Sequence, residues 1–178
     1  MDEQQADDID DYTIRSPVPE DAVGVHDLIA ACPPLDTNSL YANLLQCSHF
    51  SNTCALAVST AHTPSTHGWV SGYVLPQEPE VYFLWQVAIA KEARGKRVPK
   101  RLVSQILNRA ATKNCRYLKT TITADNQASW HLFESLARWL EAPLTKSDGF
   151  EEAAHFNGRH DSELLVTIGP FGRPPPVV

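Results

Sequence analysis

The chain has 178 residues, 43% of them hydrophobic and 20% charged, with a formal net charge of −6. That length suits one domain with a sizeable core, and that balance is ordinary for a soluble globular protein. No stretch approaches the roughly 20 apolar residues of a membrane helix, and no basic segment followed by an apolar one opens the chain, so neither a membrane span nor a secretory signal is expected.

Taken in chain order, MDEQQADDIDD (1–11) carries six acids and no base. It reads as a disordered, solvated tail and leaves the remainder neutral overall. YTIRSP (12–17) predicts a short strand. PEDAVGVHDLIAAC then sets Ala22, Val25, Leu28, Ile29 and Cys32 at helical spacing, with Pro19 and acids at its start and Pro33-Pro34 at its end. A second helix is expected from LDTNSLYANLLQC, with Asp36 or Thr37 as its N-cap. TCALAV and GWVSGYVLP read as paired strands across a polar loop, 59–67. VYFLWQVAIA (81–90) is apolar throughout except for Gln86, the pattern of a central strand buried on both faces.

The next segment, KEARGKRVPKRL (91–102), belongs to a basic island. Ten of the 15 Lys and Arg residues lie between Lys91 and Lys119, where Glu92 is the single acid. Such an island implies an anionic partner. The segment falls where strand passes into helix, and the first turn of a helix offers unpaired N–H groups and a partial positive charge. Arg94-Gly95-Lys96 can add a nest of main-chain donors and charge-assisted hydrogen bonds. Spacing alone does not separate a pyrophosphate site from a solvated basic turn. VPKRLVSQILNRAA continues as a helix with Leu102, Val103, Ile106, Leu107 and Ala110 on one stripe. CRYLKTTIT is a strand. NQASWHLFESLARWL is a helix capped by Asp125 or Asn126, with Ser129, Leu132, Phe133, Leu136, Ala137 and Leu140 inward. Residues 141–160 read as loop, ELLVTIGP as a last strand, and GRPPPVV as a loose tail. The order β-α-α-β-β-β-α-β-α-β predicts a single α/β (α+β) domain over 12–170, built on a mixed, largely antiparallel sheet, with 171–178 outside it. Cys32, Cys47, Cys54 and Cys115 show no CxxC spacing and are expected to be reduced and mostly buried, with no metal site.

The plan strand, R-x-x-G-x-G/A loop, helix, strand, then N-x-x-A/S-x-x-x-Y/F resembles the GNAT N-acetyltransferases. Arg94 aligns with the first motif residue, which sets Arg97 and Pro99 at its two small-residue positions, and Asn126, Ser129 and Phe133 match downstream. The words CPPLDTNSLYANLLQCSHF (32–50), VSGYVLPQEPEVYFLWQVAI (70–89), TITADNQASWHLFESLA (121–137) and HFNGRHDSELL (155–165) are similar to the diaminobutyrate acetyltransferases, a group whose product is the precursor of ectoine. That resemblance covers about residues 12–170. It implies a cytoplasmic homodimer that takes acetyl-CoA and L-2,4-diaminobutyrate, without nucleic acid, membrane or metal.

The implied acetyl-CoA site uses main-chain groups of Gln86, Val87 and Ala88, the loop residues Arg94, Gly95, Lys96, Arg97, Val98 and Lys100, and Asn126. Pro99 removes one N–H, and Arg97 brings a Cβ where glycine would permit a positive φ. Asp36, Tyr41 and Trp85 are implied for the diaminobutyrate pocket, although Trp85 by its strand reads as a core aromatic and Tyr41 as a packed helix residue. Glu163 is the candidate base, directly or through one water, with His160 as its alternative; "GRHDSE" read without the resemblance is a polar turn. Phe133 stands where many GNAT enzymes keep a general-acid tyrosine and has no ionisable group. Three other readings stay open: a GNAT enzyme for a different amine, a homologue impaired by its loop, and a nucleic-acid binder. The last would give a salt-dependent shift with DNA and no stabilisation by acetyl-CoA.

Overall fold

The computed structural model describes residues 11–174. Seven strands form one sheet in the order β1-β2-β3-β4-β5-β7-β6. They are β1 (Tyr12–Arg15), β2 (Ala55–Ser59), β3 (Thr66–Leu75), β4 (Glu78–Ile89), β5 (Tyr117–Thr123), β6 (Leu144–Phe150) and β7 (Glu163–Ile168). All neighbours pair antiparallel except β4 and β5. The helices are α1 (Ala22–Ala30), α2 (Leu40–Ser48), α3 (Val98–Leu107), α4 (Gln127–Trp139) and the short α5 (Glu152–His155). The expected mixed, largely antiparallel α/β domain is therefore the observed one.

Side-chain alternation along the strands feeds two cores. Leu56 and Trp69 join Val25, Leu28, Ile29 and Cys47 of α1 and α2. Ala57 and Val70 instead join a larger cluster that gathers the stripes of α3 and α4, including Leu102, Ile106, Phe133 and Leu136. Each such leucine or isoleucine contributes about 1.5–3 kcal/mol on burial, whereas helix propensities differ by only tenths per residue, so packing decides where α3 and α4 sit. Gly68 permits that packing: a Cβ there would lie 2.8 Å from Val98 Cγ1 and 3.1 Å from Leu102 Cδ1.

Four expectations need correction. Phe171, expected outside the domain, is buried in the larger core, and its N–H donates to Arg116 O at 2.8 Å. The second helix begins at Leu40 with Ser39 as its N-cap, its Oγ accepting from Ala42 N at 3.1 Å, so Asp36 and Thr37 lie in the preceding loop. Residues 141–160 are not loop throughout, because LTKSDGF forms the edge strand β6 and Glu152–His155 form α5. The central strand is not buried on both faces along its length, since Trp85 is 50% exposed. The expected tail lies outside the described residues for 1–10. Its last residue, Asp11, accepts a salt bridge from Lys96 Nζ at 3.0 Å.

Candidate active site

The parallel seam between β4 and β5 is short. Val81, Tyr82 and Phe83 pair with Tyr117, Leu118 and Lys119, and the register ends there. Beyond it β4 stays paired with β3 as far as Ile89, and β5 stays paired with β7 as far as Thr123. The facing edges of Leu84–Ile89 and Thr120–Thr123 therefore have no strand between them. The divergence starts at a β-bulge: Ser71 pairs with Gln86 and Gly72 with Leu84, which leaves Trp85 as the extra residue. Gly72 has no room for a side chain, because a Cβ would strike the Tyr82 hydroxyl and the Phe83 carbonyl. Tyr82 in turn donates to Thr53 O at 2.9 Å, locking the bulge from behind.

A cavity of about 970 Å³ fills the wedge. Leu84, Trp85, Gln86, Val87 and Ile89 line one wall, Thr120–Thr123 the other, and the N-terminal turn of α4 closes one end. The edge of β4 can pair with an extended amide-bearing chain as an added strand would. The Asn126 side-chain oxygen Oδ1 caps α4 by accepting from Ser129 N at 3.1 Å, and its Nδ2 makes no hydrogen bond among the described residues. Ala88 stands outside the cavity lining and is fully buried against the α1–α2 core.

At the far end of β4, Lys91–Ala93 make one 3₁₀ turn before the loop that enters α3. Gly95 (φ 79°) and Arg97 (φ 56°) both hold left-handed backbone, so the glycine-suited geometry expected at Arg97 is present although the residue is not glycine. Pro99 occupies the first turn of α3, where its ring is tolerated but contributes no donor. Arg94 lines the cavity; Gly95, Lys96, Arg97 and Lys100 stand outside its lining, and the Val98 side chain is buried.

Another part of the lining gathers acids. His160 Nε2 lies 3.7 Å from Asp36 Oδ2 and 3.8 Å from Glu163 Oε1. Three predicted residues thus converge from a loop, a turn and the start of β7. His160 Nδ1 also donates to the Asp161 carbonyl at 2.7 Å. That hydrogen bond, reinforced by Glu163, Asp36 and Asp161, raises the pKa of His160 above the ordinary imidazole value. The imidazolium is thus favoured more than in a free histidine, and it faces two carboxylates. With its folded pKa raised, its contribution to stability is complete below about pH 6.5 and is lost as pH rises through the folded value. An NMR titration is expected to place His160 above about 6.5, and lower in Glu163→Gln. A midpoint at or below the free-imidazole value would refute this arrangement.

Trp85, expected from its strand to be a core aromatic, faces the cavity and meets Tyr73 edge-on at 6.5 Å. Tyr41 does not reach the cavity: it is 67% exposed on α2. Phe133 is buried but touches the cavity, without an ionisable group. The four thiols are free and buried, and burial pushes Cys47 up to about 12 and Cys54 up to about 11. Neither of those two offers a thiolate at neutral pH. Cys32 lines the cavity and donates to Ile89 O at 3.4 Å. Sequence reasoning missed the Gln86 side chain, whose polar contacts lie 48 and 50 residues away.

The geometry agrees with what the chain is similar to. Residues 24–137 match the model of the acetyltransferase (GNAT) family. An L-2,4-diaminobutyric acid acetyltransferase of Chromohalobacter salexigens is 48% identical over 158 residues, covering 89% of this chain and 81% of the relative. One of Methylotuvimicrobium alcaliphilum is 44% identical over 159 residues, covering 89% and 91%. Among solved structures, a diaminobutyrate acetyltransferase of Paenibacillus lautus, in complex with its substrate L-2,4-diaminobutyric acid and coenzyme A, superposes with a TM-score of 0.82 at 31% identity, covering 93% of this chain and 98% of the other.

Proposed function

Because the chain belongs to the acetyltransferase (GNAT) family, we propose that it moves the acetyl group of acetyl-CoA to the 4-amino group of L-2,4-diaminobutyrate, the step that supplies ectoine synthesis. One observation carries this reading: a single wedge is lined both by Arg94, which opens the basic loop, and by the Asp36–His160–Glu163 cluster. Acetyl-CoA is the acetyl donor, its pantetheine amides against β4 and its pyrophosphate on Arg94–Lys100. Nest geometry at Gly95 and Arg97 and the basic side chains support that orientation.

Diaminobutyrate arrives with two ammonium groups. Asp36 holds the α-ammonium, and Trp85 adds a π face to a cation. Glu163 takes a proton from the γ-ammonium, directly or through one water. The freed nitrogen lone pair forms the N–C bond, the C–S bond breaks, the nitrogen gives up its second proton to solvent, and the thiolate takes a proton from solvent, since Phe133 has none to give. A main-chain N–H of Val87 or Ala88 meets the negative charge that develops on the carbonyl oxygen. Holding the two reactants together supplies much of the rate. No acyl-cysteine is needed. Tyr41 has no part in this pocket within one chain.

The expected product is the N4-acetyl compound, located by NMR after incubation with both substrates. Acetylation at the α-nitrogen, or turnover only with other amines, would favour a GNAT enzyme of different specificity. The protein acts as a homodimer in the cytoplasm in this reading. The exposed Leu40, Tyr41 and Leu44 on α2, with Phe50 after it, support a second copy as the cover of that face. Light scattering that returned the single-chain mass of 19.7 kDa would sink the dimer.

A further inference from the structure

We infer that the side chain of Gln86, with Asn38, is the positioning device that holds the Asp36 loop over the cavity, an inference that rests on the substrate role given to Asp36 above. Between the end of α1 and the N-cap of α2 the chain has no regular structure. The side chain of Asp36 is 87% exposed, and among the described residues its charged partner is His160 at 3.7 Å. Such a carboxylate keeps one position only if its backbone is held. Among the described residues, the hydrogen bonds that tie residues 36–38 to the sheet both run through one amide. Gln86 Nε2 donates to Asp36 O at 2.9 Å, and Gln86 Oε1 accepts from Asn38 Nδ2 at 3.0 Å.

The arrangement depends on the chemistry of an amide. It needs a donor and an acceptor on one planar group, aimed at a carbonyl two residues from an asparagine. A glutamate offers no donor, and a methionine offers neither at almost the same length. Gln86 is also the residue that follows the bulge, in register with Ser71. Its main chain belongs to the strand edge assigned to the acetyl donor, while its side chain fixes the loop assigned to the acceptor. One residue therefore sets the relative placement of the two binding halves, and the 0.5 Å tolerance typical of productive geometry makes that placement matter.

The test uses the full-length protein and begins without ligands. Gln86→Met is expected to lower the backbone order parameters of Asp36, Thr37 and Asn38 from about 0.85 to below about 0.6. Gln86→Glu, which keeps the acceptor for Asn38, is expected to fall between wild type and Gln86→Met. In steady-state kinetics Gln86→Met raises the KM for diaminobutyrate at least about fivefold and leaves that for acetyl-CoA within about twofold. In an Asp36→Asn background the same change adds less than about twofold, because a residue acting through Asp36 has nothing left to position. Unchanged order parameters, an equal rise in both backgrounds, or a rise confined to acetyl-CoA would overturn the inference. A wild-type protein that does not acetylate diaminobutyrate sinks the proposed function, and the order parameters alone then decide the positioning role.

Discussion

Replacing Glu163 with glutamine is expected to lower kcat for diaminobutyrate about 100-fold or more at neutral pH, with acetyl-CoA affinity changed less than about twofold. The γ-ammonium resembles that of lysine, with a pKa of about 10.4, so only about one molecule in a thousand carries a free amine near pH 7. A positioned carboxylate removes that handicap. Glu163 starts β7, its register partner across β5 is Thr123, and its side chain is 23% exposed, within reach of both solvent and the cavity. The deficit of the variant should shrink as pH rises and solvent supplies the free amine unaided. A loss below about threefold, or one that is independent of pH, would remove Glu163 from proton transfer.

Arg97→Gly combined with Pro99→Gly is expected to tighten acetyl-CoA binding about tenfold by calorimetry. Left-handed backbone at Arg97 (φ 56°) is already present without ligand, so its cost of about 1–2 kcal/mol falls on folding rather than on binding. One term favours the change. Pro99 lacks the N–H that the first turn of α3 would otherwise present to a phosphate. Two terms oppose it: one cation is lost, and glycine loosens both the free loop and the helix start by about 1 kcal/mol. A charge-assisted hydrogen bond, at about 1.5–3 kcal/mol, is the larger quantity, which fixes the sign. Unchanged or weaker binding would mean that the loop works through its arginine, not despite it.

Periodicity made the packed elements legible, because burial and pattern are the same signal there. The stripes of α3 and α4 were readable from Leu102, Val103, Ile106, Phe133 and Leu136, all of which are buried. β6 was not, because LTKSDGF is an edge strand with no buried residue, and its backbone is recruited by β7 through hydrogen bonds that no composition announces. Trp85 misled for the opposite reason. It sits in a continuous apolar run, yet the bulge turns it into the wedge, and a wedge between diverging strands leaves no mark on hydrophobicity. At the site, the meeting of Asp36, His160 and Glu163 was reached through the resemblance, since spacing joins only the last two. The role of the Gln86 side chain required coordinates, because its partners come from a loop whose path the sequence does not encode locally.

The three-pair seam between β4 and β5 also bears on how long the enzyme lasts. Two antiparallel ribbons, β1–β4 and β5–β7, share a narrow neck of backbone hydrogen bonds, so an acetyl donor lodged in the wedge is a removable staple between them. Its grip scales with supply: at 100 times its dissociation constant a ligand specific to the folded form adds about 2.7 kcal/mol. A cell rich in acetyl-CoA would thus keep more of this protein folded and out of reach of proteases than a starved one. The rate per enzyme molecule and the abundance of the enzyme would then rise and fall with the same metabolite, with no regulator between them.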